Sequence, residues 1–415
     1  MKKSVLTGAA VLLAATAALA GCSLFAEENA FKSPAASART TQLSVEELRQ
    51  KYTGYGFLAL KTEEEQRLYA CIDEAVSKPE PEDFYGGRFE DANVVTDIIE
   101  LYKDDHPEVF WIDESEPYYY TQDDSGLTVQ LHFKLQKEAL ETARQELENA
   151  VQQMLAEAPV EGSDYQKELY VHDRLIAACT YDDEAVEIHK QEKVRGNEQN
   201  AYGALVEGRA VCEGYTRAFQ ILCSRLGVTC WVIQGQALGF EGESSVNHIW
   251  NCVQLDGDWY HVDTTWDDYE EAPSATDRYF YFNLTTAELE KDHIISPLYG
   301  ESTDDDVWCN GFVPACNSTD YYYFTLNAMA LYSLDDYACS EYLAQAAAEG
   351  RESCCYRIDE DADFQYVFDE VVKAYAYDWV TTANDINGYS PQISERCKLS
   401  ANNERRIITL IIEYV

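Results

Sequence analysis

The chain has 415 residues, 46% of them hydrophobic, with 75 Asp and Glu against 31 Lys and Arg, for a net charge of −44. That length suits two or three domains with packed cores. The acidity excludes nucleic acid and anionic lipid headgroups as primary partners and fits the solubility of an exported protein; a cationic ligand is the other reading of the same charge.

At the N-terminus, Lys2 and Lys3 precede a short, Ala-rich apolar stretch from Val5 to Ala20, which runs into Gly21-Cys22. Leu19-Ala20-Gly21-Cys22 resembles the lipobox of bacterial lipoproteins, in which the cysteine is diacylated and becomes the first mature residue. Residues 1–21 are therefore expected to be a signal peptide and Cys22 the lipidation site. Residues 22–42, rich in Ala, Ser, Thr and Glu, are expected to be a tether. Two acyl chains would hold such a protein on the outer face of the bacterial cell membrane. An ordinary cleaved signal peptide is the alternative. No later segment reaches the roughly 18 uninterrupted apolar residues of a membrane span. There are 13 cysteines. Export permits disulfides, with Cys309, Cys316, Cys354 and Cys355 as candidate participants. No CxxC pair and no Cys/His cluster has zinc spacing, so neither a metal nor another cofactor is expected.

The fold class reads as α+β. An N-terminal α+β module is expected over 43–160. Thr62 and Glu65 form a capping box ahead of a helix bearing Leu68, Tyr69, Ile72 and Val76. A second amphipathic helix carries Val94, Val95, Ile98, Ile99 and Tyr102 and stops at Pro107. Val109 to Ile112 reads as a buried strand. Tyr118–Thr121 and Leu127–Leu135 flank an Asp-Asp-Ser-Gly turn and predict a hairpin. Glu138 to Glu157 reads as a helix. The central module, 161–303, holds the chemistry. A C-terminal α/β module, 304–415, reads strand (Tyr321–Leu326), helix (Leu334–Glu349), strand (Cys354–Ile358), helix (Phe364–Thr382), strand (Ile407–Val415). The tyrosine triplets at 118–120 and 321–323 are read as half-buried strand residues.

In the central module, Gly208 to Tyr215 breaks the chain just before Tyr215, Phe219, Leu222 and Leu226 recur at helical spacing, and Gly227 suits the position after the helix. Cys212 then sits in a first helical turn, where peptide dipoles favour its thiolate; Glu213 opposes this unless its side chain points elsewhere. A small buried hydrophobe is the bland alternative for a cysteine. Downstream, Asp256-Gly257 separates two strand-like runs and is a strong hairpin signal. Counting back from that turn places Trp250 opposite Asp263 and His248 opposite Thr265. His248 and Asp263 become diagonal neighbours about 7–8 Å apart, within reach of a carboxylate–imidazole bond. A thiol facing this pair completes a nucleophile, a base and an orienting acid. His261 is a competing base on the same face, and a satisfied polar pair within a sheet is the structural alternative.

The segments Tyr202-Gly203-Ala204-Leu205, Val211-Cys212-Glu213-Gly214-Tyr215, Asn247-His248-Ile249-Trp250-Asn251 and Trp259 to Asp267, in this order, resemble the bacterial transglutaminase-like superfamily. The upstream helix Tyr170 to Thr180, with Tyr181-Asp182, fits the same pattern. The resemblance covers roughly residues 165 to 300. It implies a papain-like core with Cys212 as nucleophile, His248 as base and Asp263 as its partner. It further implies acyl transfer at an amide carbonyl, with the oxyanion held by the Cys212 backbone N–H and one upstream side chain, Asn200 or Tyr202. Three functions follow as expectations. The first is a thiol amidohydrolase or peptidase acting on peptide or protein, with cell-wall peptide as one such substrate. The second is a protein-crosslinking transamidase, to which an acidic rim would recruit cationic amines. The third is a non-catalytic surface binding module on the same fold.

Overall fold

The computed structural model describes residues 41, 43–238, 245–268, 274–301, 308–374 and 378–415. The expected signal peptide, Cys22 and all of the tether but Thr41 lie outside the described residues. Among the described residues, no helix is long and apolar enough to cross a membrane. The chain forms two compact units, one from residues 1–259 and 290–315, the other from 260–289 and 316–415. This division differs from the module limits expected from composition, because the N-terminal helices pack into the same unit as the central segment: Gln220 Nε2, for example, donates to the Asp104 carbonyl at 2.7 Å.

The first unit opens with α1 (Val45–Lys51), α2 (Tyr55–Ala59) and α3 (Glu63–Val76). Thr62 and Glu65 make the expected capping box on α3. α4 (Asn93–Asp105) follows β1 (Asp83–Gly87) and buries Val95, Ile98, Ile99 and Tyr102. The hairpin forms from β2 (Tyr118–Asp123) and β3 (Gly126–Leu131), and β1 joins it on the other side of β3. Two expectations change here. Val109 to Ile112 is buried as expected but makes only an isolated bridge, Ile112 to Phe133, so it is not a regular strand. Tyr119 and Tyr120 lie on β2 but are 44% and 51% exposed, since the side chains of this edge strand face solvent. α5 (Lys137–Met154) and α6 (Asp164–Ala178) come next. A short parallel pair, β4 (Thr180–Tyr181) with β5 (Arg209–Ala210), brackets α7 (Asp183–Glu192).

α8 (Cys212–Arg225) is the central helix, ended by Gly227 at φ +79° with Val228 N bonding back to the Cys223 carbonyl at 3.0 Å. It packs on β6 (Thr229–Ala237) and β7 (Val246–Leu255), an antiparallel pair in which Gly235 lies opposite His248. At the end of β7 the chain reverses through Asp256 (φ +49°) and Gly257 (φ +96°), the two positive dihedrals of the predicted turn. β8 (Asp258–Val262) begins there, and the boundary between the units falls inside it.

The second unit continues with α9 (Thr264–Asp267), β9 (Phe282–Leu284), which pairs with β8, and α10 (Thr286–Leu289). The chain returns to the first unit as β10 (His293–Ile295), antiparallel to β6. The rest of the second unit is α11 (Tyr323–Asn327), β11 (Ala328–Leu331), α12 (Asp336–Ala348), β12 (Ser353–Ile358), α13 (Phe364–Ala374), α14 (Val380–Ile386), β13 (Lys398–Asn402) and β14 (Ile407–Ile411). The sheet order is β11-β12-β14-β13, with β11 parallel to β12 and the other pairs antiparallel. The helix expected at 334–349 and the strands at 354–358 and 407–415 were anticipated in type; the single helix expected over 364–382 is described as α13 and α14, with residues 375–377 between them outside the described residues. The strand expected at Tyr321–Leu326 is instead the short helix α11, and the strands β11 and β13 escaped the pattern. Both lie at the edges of the sheet, and β13 (Lys-Leu-Ser-Ala-Asn) has few apolar residues.

Candidate active site

Cys212 is the first residue of α8, half-buried, behind an extended Val211 that supplies no side-chain cap. No cap side chain of Val211 therefore competes for the backbone N–H groups of that first turn. The segment 197–200 runs alongside, with Val211 N donating to the Glu198 carbonyl at 2.9 Å. Gly214 makes this approach possible. A Cβ there would stand 2.5 Å from the Glu198 carbonyl oxygen and 2.7 Å from the Ala210 Cβ. The glycine of the Cys-Glu-Gly segment thus has a packing reason.

One turn along, Thr216 Oγ1 donates to the Ile249 carbonyl at 3.0 Å, and Asn251 Nδ2 donates to the carbonyls of Thr216 and Trp231 at 3.2 and 3.3 Å. These bonds fix the start of α8 against β7. Cys212 shares the helix face of Thr216, four residues on, and His248 precedes Ile249 on β7, so both candidates belong to the first unit. His248 is 4% exposed. Its ring lies 6.0 Å from that of Trp250 and 5.4 Å from that of His293. Gly235 opposite lets the Trp250 ring and the Ile294 carbonyl pack close, since a Cβ there would stand 2.6 Å from the ring and 2.2 Å from the oxygen. His293, whose Nδ1 is 2.6 Å from Asp292 Oδ1, was missed by sequence reasoning. A lone histidine without motif spacing gave no signal.

Asp263 belongs to the second unit and is 1% exposed. The sequence register kept Asp263 and Thr265 in the strand, but β8 ends at Val262 and Asp263 caps α9. Its Oδ1 accepts from Thr265 N at 3.0 Å and Trp266 N at 3.1 Å. The carboxylate is thereby oriented by backbone, which a strand position would not provide. His261, the competing base, is buried with Nε2 3.2 Å from Thr286 Oγ1, so a hydroxyl of its own unit occupies that nitrogen.

Of the two oxyanion candidates, Tyr202 is committed elsewhere: its hydroxyl donates to Glu146 and its ring stacks on Phe110. Asn200 is buried, with Oδ1 accepting from the N–H groups of Tyr202 and Gly203 at 3.1 and 3.4 Å, and its Nδ2 has no hydrogen-bond partner. Among the described residues, no disulfide joins the expected participants Cys309, Cys316, Cys354 and Cys355. Burial pushes the thiol of Cys71 up to about 11 and those of Cys316, Cys339 and Cys354 up to about 12.

Comparison with known proteins agrees with the region so described. Residues 152–264 match the model of the Transglutaminase-like superfamily, so the chain carries a transglutaminase-like domain. Over 61 residues it is 39% identical to the kyphoscoliosis peptidases of Homo sapiens and Mus musculus, which is 13% of this chain and 9% of each relative's length. The chain thus spans under a tenth of the curated relatives it matches. A solved crystal structure of a TGase is similar at 16% identity, covering 45% of this chain and 51% of that one, with a TM-score of 0.26.

Proposed function

We propose that this chain is a thiol-dependent acyltransferase acting on amide bonds, with hydrolysis as its main outcome. The observation that carries this reading is the anchoring of Thr216 on Ile249, which sets the N-terminus of α8, with Cys212, beside the strand that bears His248. His248 would take the Cys212 thiol proton, the thiolate would attack the carbonyl carbon of an amide, and electrons would shift to the oxygen. The Cys212 N–H and Asn200 Nδ2 are the donors proposed for that oxyanion. Collapse of the intermediate breaks the C–N bond, and His248 delivers the proton to the departing amine. Water then attacks the thioester, His248 takes its proton, and the acid leaves with the thiolate restored. Asp263, preset by its cap bonds, is proposed to hold the His248 imidazole in its working orientation, as the register from the Asp256-Gly257 turn suggests.

The proposed setting is the outer face of the cell membrane, with Cys22 lipidated and a peptide or protein as substrate. The net charge of −44 favours a second outcome, transfer of the acyl group to a cationic amine, which would make the protein a crosslinking transamidase. A glutamine-containing protein incubated with the enzyme separates the two: hydrolysis releases ammonia without incorporating a labelled primary amine, whereas transamidation incorporates it. Cys212→Ala is expected to lower either signal by at least about 10³-fold. Persistence of activity in that variant rules out the thiol mechanism. Absence of any reaction from the wild type on glutamine proteins, peptides and cell-wall peptides favours a binding module.

A further inference from the structure

The residue after the nucleophile is a carboxylate, Glu213, and an ionised carboxylate beside a thiol disfavours the thiolate. The structure does not turn Glu213 out to solvent. Successive residues of α8 advance by about 100° around the axis. Thr216, one turn after Cys212, bonds to β7, while Glu213, Arg217 and Gln220 face α4. On that side Glu213 Oε1 lies 3.3 Å from Lys103 Nζ and 3.5 Å from Arg217 Nη2. Lys103 Nζ is also 2.8 Å from Glu114 Oε2, and Arg217 Nη1 is 2.6 Å from Asp104 Oδ1. The five side chains are between 1% and 7% exposed. Glu100 also faces Lys103, Arg195 faces Glu213 and Lys134 faces Glu114, while the Glu198 carbonyl accepts from Val211 N just before the helix. Apolar residues of similar volume would be about as stable here, so fold stability alone gives no reason for a buried charge cluster next to the nucleophile.

We propose that Lys103 and Arg217 are positioning residues of the Cys212 site. They fix the rotation of the first turn of α8 and screen the Glu213 charge so that the adjacent thiol can ionise. This rests on the reading of Cys212 as nucleophile. It gives the N-terminal helix α4 a part in the chemistry of a domain whose motifs begin some sixty residues later.

The test is the rate of Cys212 alkylation by iodoacetamide across pH in the full chain, read by peptide mass spectrometry. Lys103→Gln, which leaves Glu213 under-screened, is expected to move the midpoint up by about one pH unit. Glu213→Gln is expected to move it down. The double variant Lys103→Gln with Glu213→Gln is expected to return it close to wild type. Should Lys103→Gln fail to fold by circular dichroism, Glu213→Gln and the double variant still decide, because neither leaves a carboxylate at 213. Unchanged midpoints in folded variants overturn the proposal. The readout needs no substrate, so a wild type that shows these shifts but transfers no acyl group would sink the proposed function and leave this inference standing.

Discussion

Buried polar groups serve two different ends in the two units. Around α8 the buried charged side chains pair with other charged side chains, as in Arg217 with Asp104 and Glu213, or Lys103 with Glu114. In the second unit, buried Asn384 and half-buried Arg406 reach for backbone instead. Asn384 bonds both the N–H and the carbonyl of Ile393, at 2.7 and 2.9 Å. Arg406 donates to the carbonyls of Ile358, Asp359 and Ala362. Backbone acceptors cannot titrate, so that arrangement only shapes loops. A side-chain network can change charge, and it is placed where charge matters for a thiol.

Four measurements sharpen that contrast. Arg217→Leu strands Asp104 without its cation, leaves Glu213 with Lys103 alone, and is expected to cost about 3–5 kcal/mol in urea unfolding. A loss below 1 kcal/mol would make the network incidental. The network should also give stability a pH signature. Burial pushes Asp104 up to about 6 against the opposing pull of Arg217. The folded state then holds a proton that the unfolded state releases near pH 4. Stability from this group is complete below about pH 4 and declines as pH rises through 6, by up to about 3 kcal/mol. Asp104→Asn should flatten that slope between pH 4 and 6.5, and an unaltered slope assigns it to other groups.

In the second unit, Asn384→Ala leaves the Ile393 N–H and carbonyl unsatisfied and is expected to cost about 2–3 kcal/mol. It should not touch the pH profile of Cys212 alkylation; a shifted profile would break the contrast between the units. The smallest expected effect comes from Asp263. Asp263→Ala loses the α9 cap, at about 1 kcal/mol, whereas Asp263→Asn keeps it. If Asp263 orients His248, both variants lose activity although only one loses stability. Activity retained in the asparagine variant reduces Asp263 to a cap.

The helices were legible where periodicity and caps agreed. Thr62 with Glu65 marked the start of α3, and the Tyr215, Phe219, Leu222 spacing marked α8. The turn at Asp256-Gly257 was legible because few other residue pairs take two positive φ values so readily. The end of β8 was not, since Asp263-Thr264-Thr265 suits a strand as well as a cap, and the carboxylate's bonds to Thr265 and Trp266 decided it. α11 was misread for a related reason: Tyr321 to Leu326 is rich in strand-favouring aromatics, yet the chain turns helical at Tyr323. The candidate residues Cys212 and His248 were singled out from local pattern. His293 and Gly235 could not, because only the pairing of β6 with β7 and β10 places them near His248.

The sequence alone determined that a thiol would stand at the head of an amphipathic helix and that a histidine would lie on the strand before a tight turn. Those are local matters of dihedral preference and hydrophobic period. Only the tertiary structure decided where Glu213 points and which cations meet it. Lys103 and Glu213 are separated by 110 positions, and no local preference encodes their meeting. It follows from α4 and α8 burying facing sides against each other, which obliges every charge on that interface to find a partner.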